Sequence, residues 1–186
     1  MTQIQTPPAE TIGFGRLDLG IARVRSEFIA ITQDYFDWMN GEIIRFCALS
    51  IPEIVGMSLE AYVLHTTEIA CRIAPEDGGI YAHRDGEGRI AAMGGLRRLP
   101  DGAAEIVRIF TRPDCRGRGL GSRSVDHLVG EARLLGYKIL RLDTAVFMKS
   151  AQKIYRAAGF APRDPYAGAE PPPPLLPFWL FMERSL

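Results

Sequence analysis

Residues 116–122, Arg-Gly-Arg-Gly-Leu-Gly-Ser, are the stretch that decides the fold. They lie between a strand-like segment, Glu105 to Thr111, and a helix-like segment, Ser122 to Leu135. Glycines let the backbone approach a ligand closely, and the start of a helix presents unpaired N–H groups and the positive end of the helix dipole. The spacing matches neither the G-x-G-x-x-G loop of dinucleotide-binding folds nor the G-x-x-x-x-G-K-[ST] loop of nucleotide triphosphatases. We therefore predict a phosphate or pyrophosphate site of another kind.

Composition limits the partners of the chain. Its 186 residues include 22 Lys and Arg against 22 Asp and Glu, and 47% are hydrophobic. Balanced charge gives no general attraction to nucleic acid or to a membrane surface, and no apolar run reaches the ~18 residues of a membrane span. Five arginines nevertheless surround the glycine loop, which suits a small anionic ligand. We predict neither a nucleic-acid partner nor a membrane partner.

The cysteines indicate a reducing compartment, and the histidines give no indication of a metal site. Three widely spaced cysteines without a C-x-x-C pair argue against a disulfide framework. The first 15 residues lack the basic and apolar regions of a signal peptide. These features predict a cytoplasmic protein. No histidine has another metal ligand at a suitable spacing, so we expect no metal ion.

The periodicity of apolar residues predicts a loose tail over residues 1–15 and a single domain over 16–186. Turn residues and caps mark the boundaries between elements. The predicted elements are, in order, a strand Leu19–Arg25, a helical region Phe28–Met39, a helix Leu59–Ile73 capped by Ser58, strands Ile80–Ala82, Arg89–Arg97 and Ala104–Thr111, a helix Ser122–Leu135, a strand Lys138–Thr144, a helix Ser150–Ala158 and a strand Pro177–Glu183. This order predicts a mixed α/β layer with an antiparallel front half and a helical crossover.

Three segments resemble the GNAT superfamily of acyl-CoA-dependent N-acetyltransferases. Residues 116–121 match its [Q/R]-x-x-G-x-[G/A] loop, and residues 136–143 resemble its typical helix end and fifth strand. Residues 151–160 match its A-x-x-x-Y-x-x-x-G-F ending. The resemblance implies an α/β (α+β) fold with a mixed central sheet of about six to seven strands and helices on both faces. It also implies that the fourth and fifth strands splay apart.

The resemblance further implies that acetyl-CoA is the acyl donor. Backbone N–H groups of the glycine loop would hold its pyrophosphate, and the end of the preceding strand would pair with its pantetheine amides. The cofactor-binding residues implied are Ile109, Phe110, Thr111, Arg116, Gly117, Arg118, Gly119, Leu120, Gly121, Ser122 and Ala151. Many relatives carry an asparagine three residues before the alanine, where this chain has Met148.

Two catalytic residues are implied, each with an alternative. Tyr155 stands where the family carries a tyrosine that protonates the leaving thiolate, and the alternative is a core aromatic residue. Glu105, on the fourth strand, would take a proton from the substrate ammonium, directly or through water, or would bind that ammonium. The alternative is a carboxylate paired with an arginine such as Arg97 or Arg108. Alternation places Glu105, Val107, Ile109 and Thr111 on one face of the strand.

The sequence thus predicts an N-acetyltransferase that acts on a small primary amine or amino-acid-like acceptor by direct transfer in a ternary complex. Two other functions remain open. One is a catalytically silent CoA-binding sensor or partner protein, and the other is an acetyltransferase of protein N-termini or lysines. A homodimer is also an open alternative. The proline-rich segment from Tyr166 to Phe178 is expected to lie beside the acceptor site.

Overall fold

The computed structural model describes residues 13–186, which form one seven-stranded sheet with helices on both faces. The strands are β1 (Phe14–Arg16), β2 (Gly79–Arg84), β3 (Ile90–Arg98), β4 (Ala104–Thr111), β5 (Ile139–Ala145), β6 (Ala161–Arg163) and β7 (Trp179–Ser185). The helices are α1 (Ala22–Cys47), α2 (Ile51–Val55), α3 (Leu59–Cys71), α4 (Leu120–Leu134) and α5 (Lys149–Ala157). None of the helices in these residues is long and apolar enough to cross a membrane.

The sheet has the order β1-β2-β3-β4-β5-β7-β6, and only the β4–β5 pair is parallel. A parallel pair needs a crossover, which α4 supplies between these two strands. Phe28 and Ile31 of α1 pack with Met93 on one face, whereas Leu128 of α4 packs with Leu142 on the other. The predicted fold class is confirmed.

The N-terminal part differs from the prediction. The strand predicted over Leu19–Arg25 is wrong, because this segment enters α1, where Val24, Phe28 and Ile31 are buried at helical spacing. The first strand is β1, which takes two residues of the predicted tail and pairs with β2. Residues 1–12 of that tail lie outside the described residues. The short elements α2 and β6 have no counterpart in the prediction.

The fourth and fifth strands separate, as predicted. They pair only through Ala104–Ile106 and Leu140–Leu142, although both strands continue beyond this point. From Val107 onward, β4 still pairs with β3 but presents its other edge to a gap. The gap exposes backbone groups in the middle of a sheet, where they are ordinarily paired.

A β-bulge at Arg108 accompanies this separation. Arg108 has φ +56°, in the left-handed region, and the register between β3 and β4 shifts there. An extra residue in one strand reverses the alternation of the side chains that follow. Val107 lies on the face of Ile80, but Ile109 packs against the α4 cluster. The predicted common face of Glu105, Val107, Ile109 and Thr111 is therefore wrong beyond Val107.

The buried face of α4 gives a matched test of the core. Leu128 is 0% exposed and Leu134, on the same helix, is 82% exposed. We expect Leu128→Ala to lower the free energy of unfolding by about 2–5 kcal/mol, since it leaves a cavity in a packed cluster. Leu134→Ala is expected to change it by no more than about 0.5 kcal/mol. Urea denaturation of both variants measures the difference, and equal losses would contradict this packing of α4.

Candidate active site

The glycine loop presents a row of free backbone donors at the start of α4. Gly117 and Gly119 have φ +77° and +74°, which glycine adopts without strain. Arg116 N donates to Pro113 O and Arg123 N donates to Gly119 O. The six N–H groups between them, from Gly117 to Ser122, have no hydrogen-bond acceptor within residues 13–186. With the helix dipole behind them, these groups suit a pyrophosphate.

The arginines of the loop differ in what they contact. The Nε of Arg116 donates to the carbonyl of Thr111 at 3.2 Å, and its guanidinium lies 5.8 Å from the centre of the Trp38 ring. Arg123 donates to the carbonyl of Arg118 at 3.1 Å. Arg116 and Arg123 thereby hold the shape of the loop, while the exposed Arg118 side chain extends its positive charge into solvent.

A cavity of about 100 Å³ opens where β4 and β5 separate. Its walls combine α1, α2, the bulged part of β4, the end of β5 and the segment 170–175. The lining residues with polar side chains are Tyr35, Tyr62, Arg108, Asp143, Thr144, Tyr155 and Glu170. Much of the remaining wall is apolar, including Phe36, Met39, Ile54, Val55 and Leu175. A mostly apolar cleft with a few convergent polar groups is the usual form of a small-molecule site.

Tyr155 lies in this cavity. It is 5% exposed on α5 and belongs to the core cluster on the α4 face, so the gap between the strands joins the two faces at this point. Burial, and then the charge of Asp143, raise the pKa of its phenol. A phenol that keeps its proton is a hydrogen-bond donor. Predicted cofactor contacts lie nearby, since Ile154 packs against Gly121 and Ala151 borders the same cluster.

Glu105 is fully buried and does not line the cavity. Arg97 Nε donates to its Oε2 at 2.6 Å, and the hydroxyl of Tyr166 donates to its Oε1 at 2.6 Å. Burial raises the pKa of Glu105 to about 7, against the opposing effects of Arg97 and Tyr166. This is the arginine-paired arrangement that the sequence left open. Its role as a base stays a prediction.

The same arginine ties the C-terminal segment to the sheet. Arg97 Nη2 donates to the carbonyl of Gly168 at 2.7 Å, in addition to its contacts with Glu105. Gly168 precedes Glu170, Pro171 and Pro172, which line the cavity. The Arg97–Glu105 pair lies outside the cavity and positions one of its walls through Gly168. The proline-rich segment thus lies beside the cavity, where it was expected.

Asp143 is the acidic residue that sequence reasoning missed. It lies near the end of β5, lines the cavity and accepts a hydrogen bond from Trp179 Nε1 at 2.8 Å on Oδ1. Burial, followed by the negative charges of Glu105 and Glu170, raises its pKa to about 8. The sequence did contain a signal for it, because Asp143 is a lone carboxylate near the end of a strand that was predicted to separate from its neighbour.

Sequence comparison supports the same family as the motifs. The sequence model of the Acetyltransferase (GNAT) family matches residues 48–160. A protein named IAA acetyltransferase from Azospirillum brasilense is 32% identical over 123 residues, which are 66% of this chain and 76% of that protein. An uncharacterized N-acetyltransferase of Schizosaccharomyces pombe is 31% identical over 98 residues, 51% of this chain and 59% of its own length.

Solved structures share the fold. An acetyltransferase of the GNAT family from Staphylococcus aureus superposes with a TM-score of 0.66 at 15% identity, over 94% of this chain and 98% of that one. A GNAT family acetyltransferase from Elizabethkingia anophelis, solved with acetyl-CoA bound, has a TM-score of 0.51 at 17% identity over 69% of this chain and 84% of that one.

The exposed Arg118 provides a test of the loop. We expect Arg118→Met to weaken binding of CoA by about tenfold, because a charge-assisted contact with phosphate is worth ~1.5 kcal/mol or more. Arg133→Met, which removes an exposed arginine from the other end of α4, is the control and is expected to leave CoA affinity unchanged. Calorimetric titration at two salt concentrations measures both, and equal effects of the two substitutions would contradict the assignment.

The raised pKa of Asp143 makes stability depend on pH with a definite sign. Its ordinary value is 3.8 and its value in the folded protein is about 8, so between these pH values the folded state holds a proton that the unfolded state releases. Asp143 therefore makes a contribution to the free energy of unfolding that falls as pH rises through this window. Asp143→Asn is expected to flatten the fall, leaving the smaller contribution of Glu105.

Denaturant unfolding from pH 4 to pH 9, in steps of about one unit, measures this for the wild-type protein, for Asp143→Asn and for a control variant. Asp126→Asn, an exposed position on α4, serves as the control and is expected to keep the wild-type slope. If Asp143→Asn kept that slope as well, Asp143 would not hold a raised pKa in the folded state.

Proposed function

Since this chain belongs to the acetyltransferase (GNAT) family and is an acetyltransferase, we propose that it transfers the acetyl group of acetyl-CoA directly to a small primary amine or amino-acid-like acceptor. The observation that carries the proposal is that Asp143 and Tyr155 line one cavity at the place where β4 and β5 separate. One residue suits removal of a proton from the acceptor, and the other suits delivery of a proton to the leaving group.

The donor fits the residues present. Bound acetyl-CoA supplies an activated acetyl thioester. The six free N–H groups from Gly117 to Ser122 suit its pyrophosphate, and the open backbone edge of β4 from Val107 to Thr111 suits the pantetheine amides by strand addition. Backbone amides near Ile109, beside the bulge, would polarise the thioester carbonyl.

Asp143 is the proposed base. An acceptor amine arrives mainly as ammonium and must lose a proton before its nitrogen attacks the thioester carbon. A base works best when its pKa lies near the operating pH, and the pKa of Asp143, about 8, meets that condition. Glu105, the base that the sequence predicted, has both carboxylate oxygens bonded and supports the site through Arg97 and Tyr166.

Tyr155 is the proposed acid. As the bond from the acetyl carbon to nitrogen forms and the bond to sulfur breaks, the Tyr155 hydroxyl gives its proton to the sulfur. The second proton that the nitrogen loses on becoming an amide restores the phenol, and the proton taken by Asp143 passes to solvent. The products are an N-acetylated acceptor, free CoA and one proton.

The shape of the cavity supports a small acceptor. The segment 170–175 and helices α1 and α2 enclose it, and its volume is about 100 Å³. An acetyltransferase of protein termini or lysines needs a groove that admits a peptide chain. Here the proline-rich segment, which the hydrogen bond from Arg97 to Gly168 ties to the sheet, forms one wall of the cavity, where such a groove would otherwise open.

Steady-state turnover tests the proposal. We expect the wild-type protein to release CoA from acetyl-CoA in the presence of members of a panel of small amines and amino acids. Tyr155→Phe is expected to lower kcat by about 100-fold with little change in the KM for acetyl-CoA, because a positioned acid contributes that much to the chemical step.

Tyr137→Phe is the matched control. Tyr137 is also buried, but its hydroxyl donates to the carbonyl of Asp77 and does not line the cavity, so its loss is expected to leave kcat unchanged. An unaltered kcat and pH profile in Tyr155→Phe would remove the acid role. Tight CoA binding without turnover of any acceptor would favour the CoA-sensor alternative.

A further inference from the structure

Arg108 lines the cavity, and its charged side chain has no role in the chemistry above. It is 8% exposed, and its Nε and Nη1 atoms are buried without a hydrogen-bond partner among the described residues. Arg97, on the adjacent strand β3, is paired with Glu105, but no carboxylate within residues 13–186 forms an ion pair with Arg108. A buried guanidinium ordinarily has a partner, since leaving the charge unpaired is costly.

The surroundings of Arg108 show where its partner would lie. Arg108 lines the cavity together with Tyr35 and Tyr62, and its charge acts on both phenols. Asp143 and Glu170 line the same cavity. One cavity therefore contains a free cation and, separately, two carboxyl groups. A zwitterion matches this arrangement, with its carboxylate on Arg108 and its ammonium near Asp143.

We infer that Arg108 is the residue that recognises a carboxylate of the acceptor, so that the acceptor is an amino acid rather than a simple amine. Guanidinium and carboxylate form two parallel hydrogen bonds, which fix the orientation of the acceptor as well as its affinity. The bulge contributes directly, because the extra residue it inserts into β4 is Arg108 itself. The inference rests on the proposed function and specifies its acceptor.

Turnover of matched acceptors tests the inference. The probes are L-valine, L-leucine and L-methionine, each compared with the amine that lacks the carboxylate: isobutylamine, isopentylamine and 3-(methylthio)propylamine. Their apolar side chains suit the apolar wall. We expect the ratio of kcat/KM for amino acid over amine to fall by about 100-fold from wild type to Arg108→Met, since the variant loses a buried bidentate contact.

Two comparisons make this change specific. The amines differ in basicity from the amino acids, but that difference is the same for both proteins and cancels when the ratios are compared. Arg108→Lys keeps the charge without the bidentate geometry and is expected to give an intermediate ratio. All three side chains carry a Cβ, so the backbone strain at φ +56° is common to them. Arg133→Met is the control and is expected to retain the wild-type ratio.

A binding measurement separates this inference from the proposed function. 4-Methylpentanoate has the carboxylate and carbon skeleton of leucine but no amine, and 4-methylpentanamide is its uncharged counterpart. We expect the carboxylate, and not the amide, to raise the Tm of the wild-type protein, and neither to raise that of Arg108→Met. This result without turnover of any acceptor would sustain the carboxylate site and reject the proposed transfer.

The opposite result is equally clear. If the simple amines were acetylated as well as the amino acids, by wild type and Arg108→Met alike, transfer to amines would stand and carboxylate recognition would be rejected. Equal losses for both members of each pair in Arg108→Met would also reject it, because a residue that acts only on folding or on acetyl-CoA cannot discriminate between them.

Discussion

The separation of β4 from β5 is the constraint on which the rest of the structure depends. Pairing stops after Ile106 and Leu142 although both strands continue, and the bulge at Arg108 lies just beyond that point. A bulge bends its strand and increases its local twist, which carries β4 away from its parallel neighbour. The unpaired backbone edge then requires another partner. The proposed donor, with amide groups along its length and a pyrophosphate that suits the glycine loop, would satisfy that requirement without special side chains.

The charges around the gap divide into a satisfied set and an unsatisfied set. Behind the cavity, Glu105 has both oxygens bonded by Arg97 and Tyr166, and the same arginine holds Gly168. Hydrogen bonds that satisfy a buried group in this way make the wall behind the cavity rigid. Inside the cavity, Asp143 has a single bond from Trp179, and Arg108 has no partner among the described residues. Groups left unsatisfied in this manner are the ones available to a substrate.

Local patterns predicted those parts of the chain whose structure is decided locally. The spacing of apolar residues predicted β4, α4 and α5, and the glycines predicted the loop between β4 and α4. Ser58 caps α3 as expected. The strand predicted over residues 19–25 was wrong because, over so few residues, the spacing of apolar residues at the start of a helix resembles the alternation of a strand. The faces of β4 were predicted correctly only up to Val107. A positive φ at an arginine has no sequence signal, since glycine is the residue expected there.

The two halves of the site differ in predictability for a physical reason. The site proposed for the donor consists largely of backbone groups, whose arrangement follows from a short run of glycines at one helix start. The cavity proposed for the acceptor is lined by side chains from α1, β4, β5 and the segment 170–175, which only tertiary packing brings together. Asp143 and Arg108 are 35 positions apart in the chain, so no motif spans them. On the inference drawn above, a family can thus retain its donor motif while single residues in these distant segments, with Arg108 as the one inferred for this chain, select the acceptor.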